Sequence, residues 1–171
     1  MSSTIPNAET DSHQKRSAFY RGLFALAITA FVIAGAANVF GVRHSEVAAE
    51  AKGYQLTVKY GASSRPGLAT LWEVEIRHAG GFDGPITLAT TASYFGAFDE
   101  NGLDPDPDKA YGEDEQIIWE FEPPEGDVFS LSFDARIEPA QQLATFPART
   151  ALLDESGAEI VAVSYETRVW P

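Results

Sequence analysis

The hydrophobic pattern divides the chain into one continuous apolar run and a long segment of period two. Residues 22–42 carry no charge, and only Thr29 and Asn38 among them are clearly polar. About 21 helical residues at roughly 1.5 Å each span about 31 Å, the thickness of a hydrocarbon core. A helix also satisfies its own backbone groups, as lipid requires. The run therefore predicts one transmembrane helix over residues 18–43.

Apolar and polar residues alternate from Tyr54 onward, as is typical of strands with one buried face. The alternating segments are 54–60, 72–76, 86–91, 117–121, 129–137, 150–153 and 159–169. Turn formers such as Arg65-Pro66-Gly67 and Pro123-Pro124 separate them. About seven short strands and no helical period predict an all-β domain over residues 54–171, an antiparallel Ig-like β-sandwich.

The remaining segments have no clear period. Residues 1–17 are polar and predict a disordered cytoplasmic tail, and residues 44–53 predict a juxtamembrane linker with at most one helical turn. Residues 93–108 are irregular. The predicted core consists of the large side chains on the apolar face of the strands, Trp72, Trp119, Phe129, Leu131 and Phe133.

Basic residues indicate the orientation of the predicted span. Lys15, Arg16 and Arg21 precede it, which favours a cytoplasmic N-terminus and an extracytoplasmic C-terminal domain. The predicted location is the cell membrane, with one pass through the bilayer. The alternative is a cleaved signal peptide with Ala34-Gly35-Ala36 as its cleavage site. The apolar run continues past that triplet to Val42, which favours the uncleaved anchor.

Small residues recur along one face of the predicted span. The members of this small-residue seam are Ala27, Ala30, Ala34, Ala37 and Gly41, with Asn38 beside them. Membrane helices pack closely through such residues, and an amide can add an interhelical hydrogen bond. The seam predicts a larger membrane protein as partner, although alanine and glycine are also common in spans that have none.

Charge and cysteine content narrow the classes of function. The chain has a formal charge of −13, and the part from Arg43 onward has nine basic and 23 acidic residues. Such a surface repels nucleic acid and anionic lipid heads. The absence of cysteine excludes disulfides, thiolate nucleophiles and cysteine-bound metals. The domain must therefore be held together by burial.

An acidic run offers a weak calcium pattern. Asp104, Asp106 and Asp108 have the spacing of positions 1, 3 and 5 of a calcium loop, and Glu115 falls at position 12. Lys109 stands where that loop needs glycine, and prolines separate the aspartates. A solvated acidic loop is the alternative. No cofactor is predicted.

Three aromatic residues, Tyr94, Phe95 and Phe98, precede the acidic run. One interpretation is an exposed platform for a partner or a sugar. The other is that they fold under the loop and fix it in place.

Catalytic patterns are missing from the domain sequence. His78 is its one histidine and is interpreted as a packed or surface residue. No recognisable nucleophile motif surrounds it. Alternation places Glu73 and Glu75 on a solvated strand face, away from any cleft. The sequence predicts a protein that is not an enzyme.

The domain sequence contains several short motifs, namely Asn101-Gly-Leu-Asp-Pro105-Asp-Pro107, Pro123-Pro124-Glu-Gly-Asp127, Arg136-Ile-Glu-Pro139, the hairpin at 154–157 and the ending Trp170-Pro171. These motifs resemble those of a group of small actinobacterial single-span membrane proteins of unknown function. The resemblance covers residues 54–171 and implies an extracytoplasmic β-sandwich, often encoded beside a multi-span protein. In topology alone the chain also resembles single-span accessory proteins of cytochrome oxidase assembly, without a shared metal motif.

These patterns together predict a non-enzymatic, membrane-anchored accessory or interaction subunit of a larger membrane complex, with no nucleic-acid partner. The alternative is an extracytoplasmic module that binds calcium or carbohydrate through residues 93–115.

Overall fold

The computed structural model describes residues 8–36 and 41–170, apart from the side chains of residues 8–15, 100 and 101. The chain divides into two units, Met1–Phe40 and Gly41–Pro171.

Helix α1 (Ala8–Ala36) makes up the described part of the first unit. It begins within the predicted tail, because Ala, Glu, Gln and Lys residues there are good helix formers and extend the apolar helix toward the N-terminus. The stretch Arg16–Ala36 has 21 residues, a mean hydropathy of 1.7 and no buried residue. This length and composition suit a membrane span, and a signal sequence has the same character. The Thr29 hydroxyl donates to the carbonyl of Ala25 at 2.9 Å, which satisfies its polar group within the helix.

The second unit contains ten strands and one short helix. They are β1 (Arg43–Ala51), β2 (Tyr54–Ser64), β3 (Ala69–His78), β4 (Ile86–Thr91), α2 (Ala92–Phe95), β5 (Phe98–Asp104), β6 (Lys109–Glu113), β7 (Gln116–Phe121), β8 (Val128–Ile137), β9 (Ala144–Leu153) and β10 (Glu159–Val169).

Hydrogen bonds join the strands in the order β5-β8-β3-β2-β10-β9-β4-β7-β6, with β1 on β2. The first layer is β5-β8-β3-β2 with β1, and the second layer is β10-β9-β4-β7-β6. All pairings within the layers are antiparallel. The layers are linked by a short parallel ladder, Arg168 with Ser63 and Val169 with Ser64. The arrangement confirms the predicted Ig-like β-sandwich.

Strand β1 corrects the predicted juxtamembrane linker at 44–53. It pairs with β2 along its whole length, from Arg43 with Ser63 to Ala51 with Tyr54. Lys52 and Gly53 have φ of 51° and 82°, the left-handed values of a two-residue hairpin turn whose twist matches the strands. The alternation in β1 is weak in the sequence, because its inward residues Val47, Ala49 and Ala51 are mostly small and only partly buried.

Strands β5 and β6 are a second correction, since β5 lies within the segment 93–108 that was predicted to be irregular, and β6 follows it where no strand was predicted. They form the two edges of the strand order. Edge strands have one pairing partner and carry polar or small residues, which weakens the alternation. The number of strands is therefore larger than the predicted seven.

Alternation predicted the core correctly. Strand β8 alternates buried and exposed side chains from Phe129 to Ile137. The five predicted core residues Trp72, Trp119, Phe129, Leu131 and Phe133 are all at most 6% exposed. They lie between the two layers with the inward residues of the other strands.

A buried polar network crosses that core. The Trp72 indole N–H in the first layer donates to the Tyr165 hydroxyl in the second at 2.6 Å. The Tyr165 and Thr150 hydroxyls are 2.9 Å apart, and Thr150 bonds in turn to Thr90 at 3.1 Å. Burial raises the pKa of Tyr165, so its hydroxyl stays neutral and keeps its proton for a hydrogen bond.

We predict that Tyr165→Phe destabilises the unit Gly41–Pro171 by about 1–3 kcal/mol, because the buried Trp72 N–H loses its acceptor. The measurement is urea unfolding, with a lower midpoint at an unchanged slope. The matched control is Tyr111→Phe, which removes the same atom from an exposed ring and should leave the midpoint unchanged. Equal midpoints for both variants would contradict the role of the Trp72–Tyr165 bond.

Candidate functional site

The three aromatic residues before the acidic run are part of the core. Tyr94 is fully buried and its hydroxyl lies 2.8 Å from that of Thr167, while Phe98 is 8% exposed. Burial raises the pKa of Tyr94 far above its ordinary value. The exposed-platform interpretation is wrong for Tyr94 and Phe98, and Phe95 is partly buried against the core. Helix α2 turns these rings inward, so they fold beneath the loop as the other interpretation had it.

The calcium candidates do not converge. Asp104, Asp106 and Asp108 are exposed and precede β6, whereas Glu115 lies in the turn at the far end of that strand. Five residues of extended chain separate the two positions by about 17 Å. Within the described residues, no group of three or more histidine, aspartate or glutamate side chains is arranged to hold a metal ion. The spacing of the carboxylates in the sequence did not predict a calcium site correctly, because the chain forms a hairpin here. In a calcium loop the same residues would surround the ion.

His78, Glu73 and Glu75 all make contacts with other residues of the domain. The imidazole of His78 stacks on Tyr54 with ring centroids 4.0 Å apart, and its Nδ1 lies 2.6 Å from the carbonyl of Gly81. Glu73 and Glu75 lie on the outer face of the first layer, paired with Lys59 at 3.9 Å and Arg77 at 2.7 Å. That face is polar, and both of these glutamates have a cationic partner.

The small-residue seam is described in part. Ala27, Ala30 and Ala34 lie on α1, whereas Ala37 and Asn38 fall outside the described residues. Gly41 lies in a bend just before β1 and is not helical, which corrects its place on the seam. Pairing of Arg43 with Ser63 requires extended backbone from residue 43, so the helix cannot reach the predicted end.

The outer face of the second layer has an apolar row instead. Strand register places Tyr111 beside Ile118, Ile118 beside Ala89, and Ala89 beside Ala151. Ile118 is 5% exposed and the two alanines 2%, although they face away from the core, while Tyr111 at the strand edge is 44% exposed. The small side chains make the floor of a groove of about 730 Å³.

Acidic residues surround this floor. The groove, called the acidic groove below, is bounded by β6 and by the turn between β9 and β10, with Arg149 as the one basic residue in its lining. The acidic side chains are Glu113, Asp114, Glu120, Asp154, Glu155 and Glu159.

Half of these carboxylates are engaged within the chain. Lys109 Nζ lies 2.6 Å from Glu120, and Arg149 lies 2.6 Å from Glu159. Its hydrogen bond to Lys109 lowers the pKa of Glu120, outweighing desolvation. Asp154 accepts bonds from the Ser156 hydroxyl at 2.6 Å and from two backbone N–H groups.

The other three have no such partner. Among the described residues, no cation lies within ion-pair distance of Glu113, Asp114 or Glu155. The groove thus presents an apolar floor beside uncompensated negative charge.

Sequence reasoning missed this groove. Ile118 was assigned to the polar side of its strand, and an apolar residue on a solvated face was the available signal. Tyr111 lies on β6, which was not predicted. The register that lines up four strands side by side comes from tertiary pairing and has no sequence signature.

Comparisons with known proteins add the following. No protein-family model and no curated protein matches the chain. A chain of the CaDoc0917–CaCohA2 complex is 16% identical with a TM-score of 0.43, over 64% of this chain and 96% of that one. The collagen adhesin CNA from S. aureus is 13% identical with a TM-score of 0.36, over 68% of this chain and 55% of that one. At these values no function is transferred.

We predict that Asp154→Ala lowers the thermal midpoint at pH 7 and that the difference shrinks in acid. The bonds from Ser156 and Ala158 lower the pKa of Asp154. A lowered pKa gives stability that is present above the ordinary value of about 3.8 and lost as the pH falls through the folded value. Thermal unfolding from pH 7 down to acid measures this. Glu155→Ala, a neighbour that accepts none of these bonds, should show no such dependence.

We also predict that millimolar calcium leaves the thermal midpoint unchanged, because the four carboxylate candidates are held apart. A ligand that binds only the folded state must raise stability. A higher midpoint with calcium, and none with magnesium, would contradict the separation of Asp104, Asp106, Asp108 and Glu115.

Proposed function

We propose that this protein is a membrane-tethered, non-enzymatic interaction subunit. Helix α1 serves as the anchor, and the acidic groove binds a protein partner in the extracytoplasmic space. The tether is supported by the 21-residue stretch Arg16–Ala36, whose mean hydropathy is 1.7. The actinobacterial resemblance of residues 54–171 stays a prediction, and the proposal does not depend on it.

The observation that carries the proposal is the apolar floor of the acidic groove. Alanines and an isoleucine on an outward strand face are unusual where neighbouring positions hold threonine, glutamine and glutamate. Small floor residues allow a partner backbone or side chain to approach closely. The floor residues are at most 5% exposed, so the apolar surface that binding removes from water, at about 25 cal/mol per Å², belongs to Tyr111 and to the partner. Tyr111 at the rim is the type of residue that dominates binding energy at interfaces.

Charge indicates the chemistry of the partner. Glu113, Asp114 and Glu155 lie at the rim without a cation of their own, so a partner that supplies lysine or arginine there gains complementarity and faster association. The fitting segment has an apolar side chain for the floor, flanked by basic residues. A larger membrane protein with such a segment in an extracytoplasmic loop satisfies these conditions. The membrane helices of such a partner would pack against the small-residue seam on α1.

The outer face of the first layer is less suited than the acidic groove to bind a protein. Its depression of about 480 Å³ is lined by Lys59, Glu73, Glu75 and serine and threonine hydroxyls. Its carboxylates on β3 already have cationic partners, so a second protein gains little there.

A non-enzymatic role is supported by the surroundings of the few catalytic side-chain types. His78 is committed to Tyr54 and Gly81, and neither groove contains a histidine. The ligand-binding alternative through residues 93–115 is less well supported, because Tyr94 and Phe98 are buried in the core and Glu115 is separated from the three aspartates.

We predict that reversing the rim charge expels the partner. The variant Glu113→Lys with Glu155→Lys places like charge against a basic segment and should reduce recovered partner by about tenfold or more. The full chain is purified from its native membrane in mild detergent, and co-purifying proteins are quantified by mass spectrometry.

The matched control is Glu46→Lys with Glu50→Lys, which makes the same change on β1 at two exposed positions. Loss in the groove variant and recovery in the control supports the groove. The same set of proteins with wild type and both variants would rule it out.

A further inference from the structure

Strands β1, β5 and β6 each have one pairing partner and therefore one free side. A free side presents N–H and C=O groups to which another strand can bond, so domains usually obstruct it with a bulge, a proline or a covering segment. The register of β5 is interrupted between Glu100 and Gly102, and β1 lies against β10. Strand β6 pairs with β7 from Lys109 to Glu113 without interruption and contains no proline. Its free side is the least obstructed of the three.

The turn after β6 determines which of its backbone groups bond to β7. Asp114 and Glu115 have φ of 43° and 68°, the left-handed values of a two-residue hairpin turn. Such a turn is closed by a bond from the N–H of Gln116 to the carbonyl of Glu113, the two residues that pair across it. Bonding alternates along an antiparallel pair, so every second residue counted back from Glu113 bonds to β7.

Ala110 and Gly112 are the intermediate residues, and their N–H and C=O groups point to the free side. Among the described residues, no other segment pairs with β6 or bonds to these four groups. Both residues are exposed and small. A Cβ added at Gly112 would meet only the carbonyl of Gln116, at 3.8 Å. A second backbone can therefore approach this side of β6 closely.

The surroundings of the free side are acidic. The exposed acidic side chains between residues 106 and 115 are Asp106, Asp108, Glu113, Asp114 and Glu115. Lys109 is the only basic residue in that segment, and its Nζ lies 2.6 Å from Glu120 on the neighbouring strand. An extended segment with basic residues is attracted by the carboxylates on both sides of Ala110 and Gly112. A second copy of this chain would instead bring the same acidic residues against them.

We propose that an extended, basic segment of the partner adds to the second layer as a strand beside β6. The inference rests on the proposed function, because it takes the same partner, and it adds how the backbone of that partner is held. Ala110 and Gly112 offer up to four main-chain hydrogen bonds, which select an extended conformation. Side chains on the outer face of the added strand lie beside Tyr111 and extend the acidic groove. The carboxylates around β6 select basic residues.

The experiment uses the full chain in phosphatidylcholine nanodiscs and a short peptide of alternating lysine and valine as the probe. We expect saturable binding that weakens at high salt, because salt screens charge. Hydrogen exchange followed by mass spectrometry should show slower exchange in the segment 109–113, since the N–H groups of Ala110 and Gly112 become bonded. The same peptide with glutamate in place of lysine should not bind.

A proline variant tests the main-chain bonds. Gly112→Pro removes one outward N–H and places its ring on the free side, without taking a bond from β7, and edge strands accept proline at such positions. It should weaken peptide binding by about tenfold or more. The matched control is Ala48→Pro on β1, where the turn at Lys52 and Gly53 sets the same alternation and Ala48 points away from β2. The control should bind like wild type.

A second probe tests the same bonds without altering the protein. The peptide with every backbone nitrogen methylated keeps its side chains and charge but cannot donate main-chain hydrogen bonds. It should bind about tenfold more weakly than the unmodified peptide.

Four results would overturn the inference: no binding of the lysine peptide, equal binding by the Gly112→Pro and Ala48→Pro variants, equal binding of the methylated peptide, or unchanged exchange in 109–113 with peptide bound. The last would leave the acidic groove as the binding surface. The proposed function fails separately, when the variant with Glu113→Lys and Glu155→Lys recovers the same proteins as wild type.

Discussion

Aromatic packing between the two β layers is the interaction on which the rest of the domain depends. Without cysteine the sandwich has no covalent crosslink, so burial must hold the layers together. Phe95 lies at the centre, with its ring edge-on to Trp72, Trp119 and Phe133 at 5.1–5.3 Å between centroids. The short helix α2 therefore places the Phe95 ring against the core, and this contact fixes the start of the acidic loop that follows.

Alternation in the sequence predicted the strands that have one buried face and the residues that form the core. Strand β8 and the five core residues followed from period two, because each inward residue must leave water. Strands β1, β5 and β6 were missed for a physical reason common to all three. They are edge strands in which most side chains are small or polar, and their conformation is set by hydrogen bonds to a neighbour that is distant in the sequence or across a tight turn.

The candidate surfaces depend on that same tertiary register. The row from Tyr111 to Ala151 draws one residue from each of four strands, and no local pattern joins them. The total charge of the chain concealed the acidic groove, since a sum of −13 says nothing about where each sign lies. The calcium pattern failed for the opposite reason. Residues that are close in the sequence lie apart in the structure, because a hairpin separates them.

The pairing of β1 with β2 has a mechanical consequence. Nine residues of β1 pair with β2, beginning with Arg43. A force applied at Arg43 along the direction of β1 would shear this ladder, with its hydrogen bonds sharing the load. A chain that joined the domain without such a strand would load its first contacts one at a time. The hairpin closed by Lys52 and Gly53 is thus suited to keep the domain folded under pull.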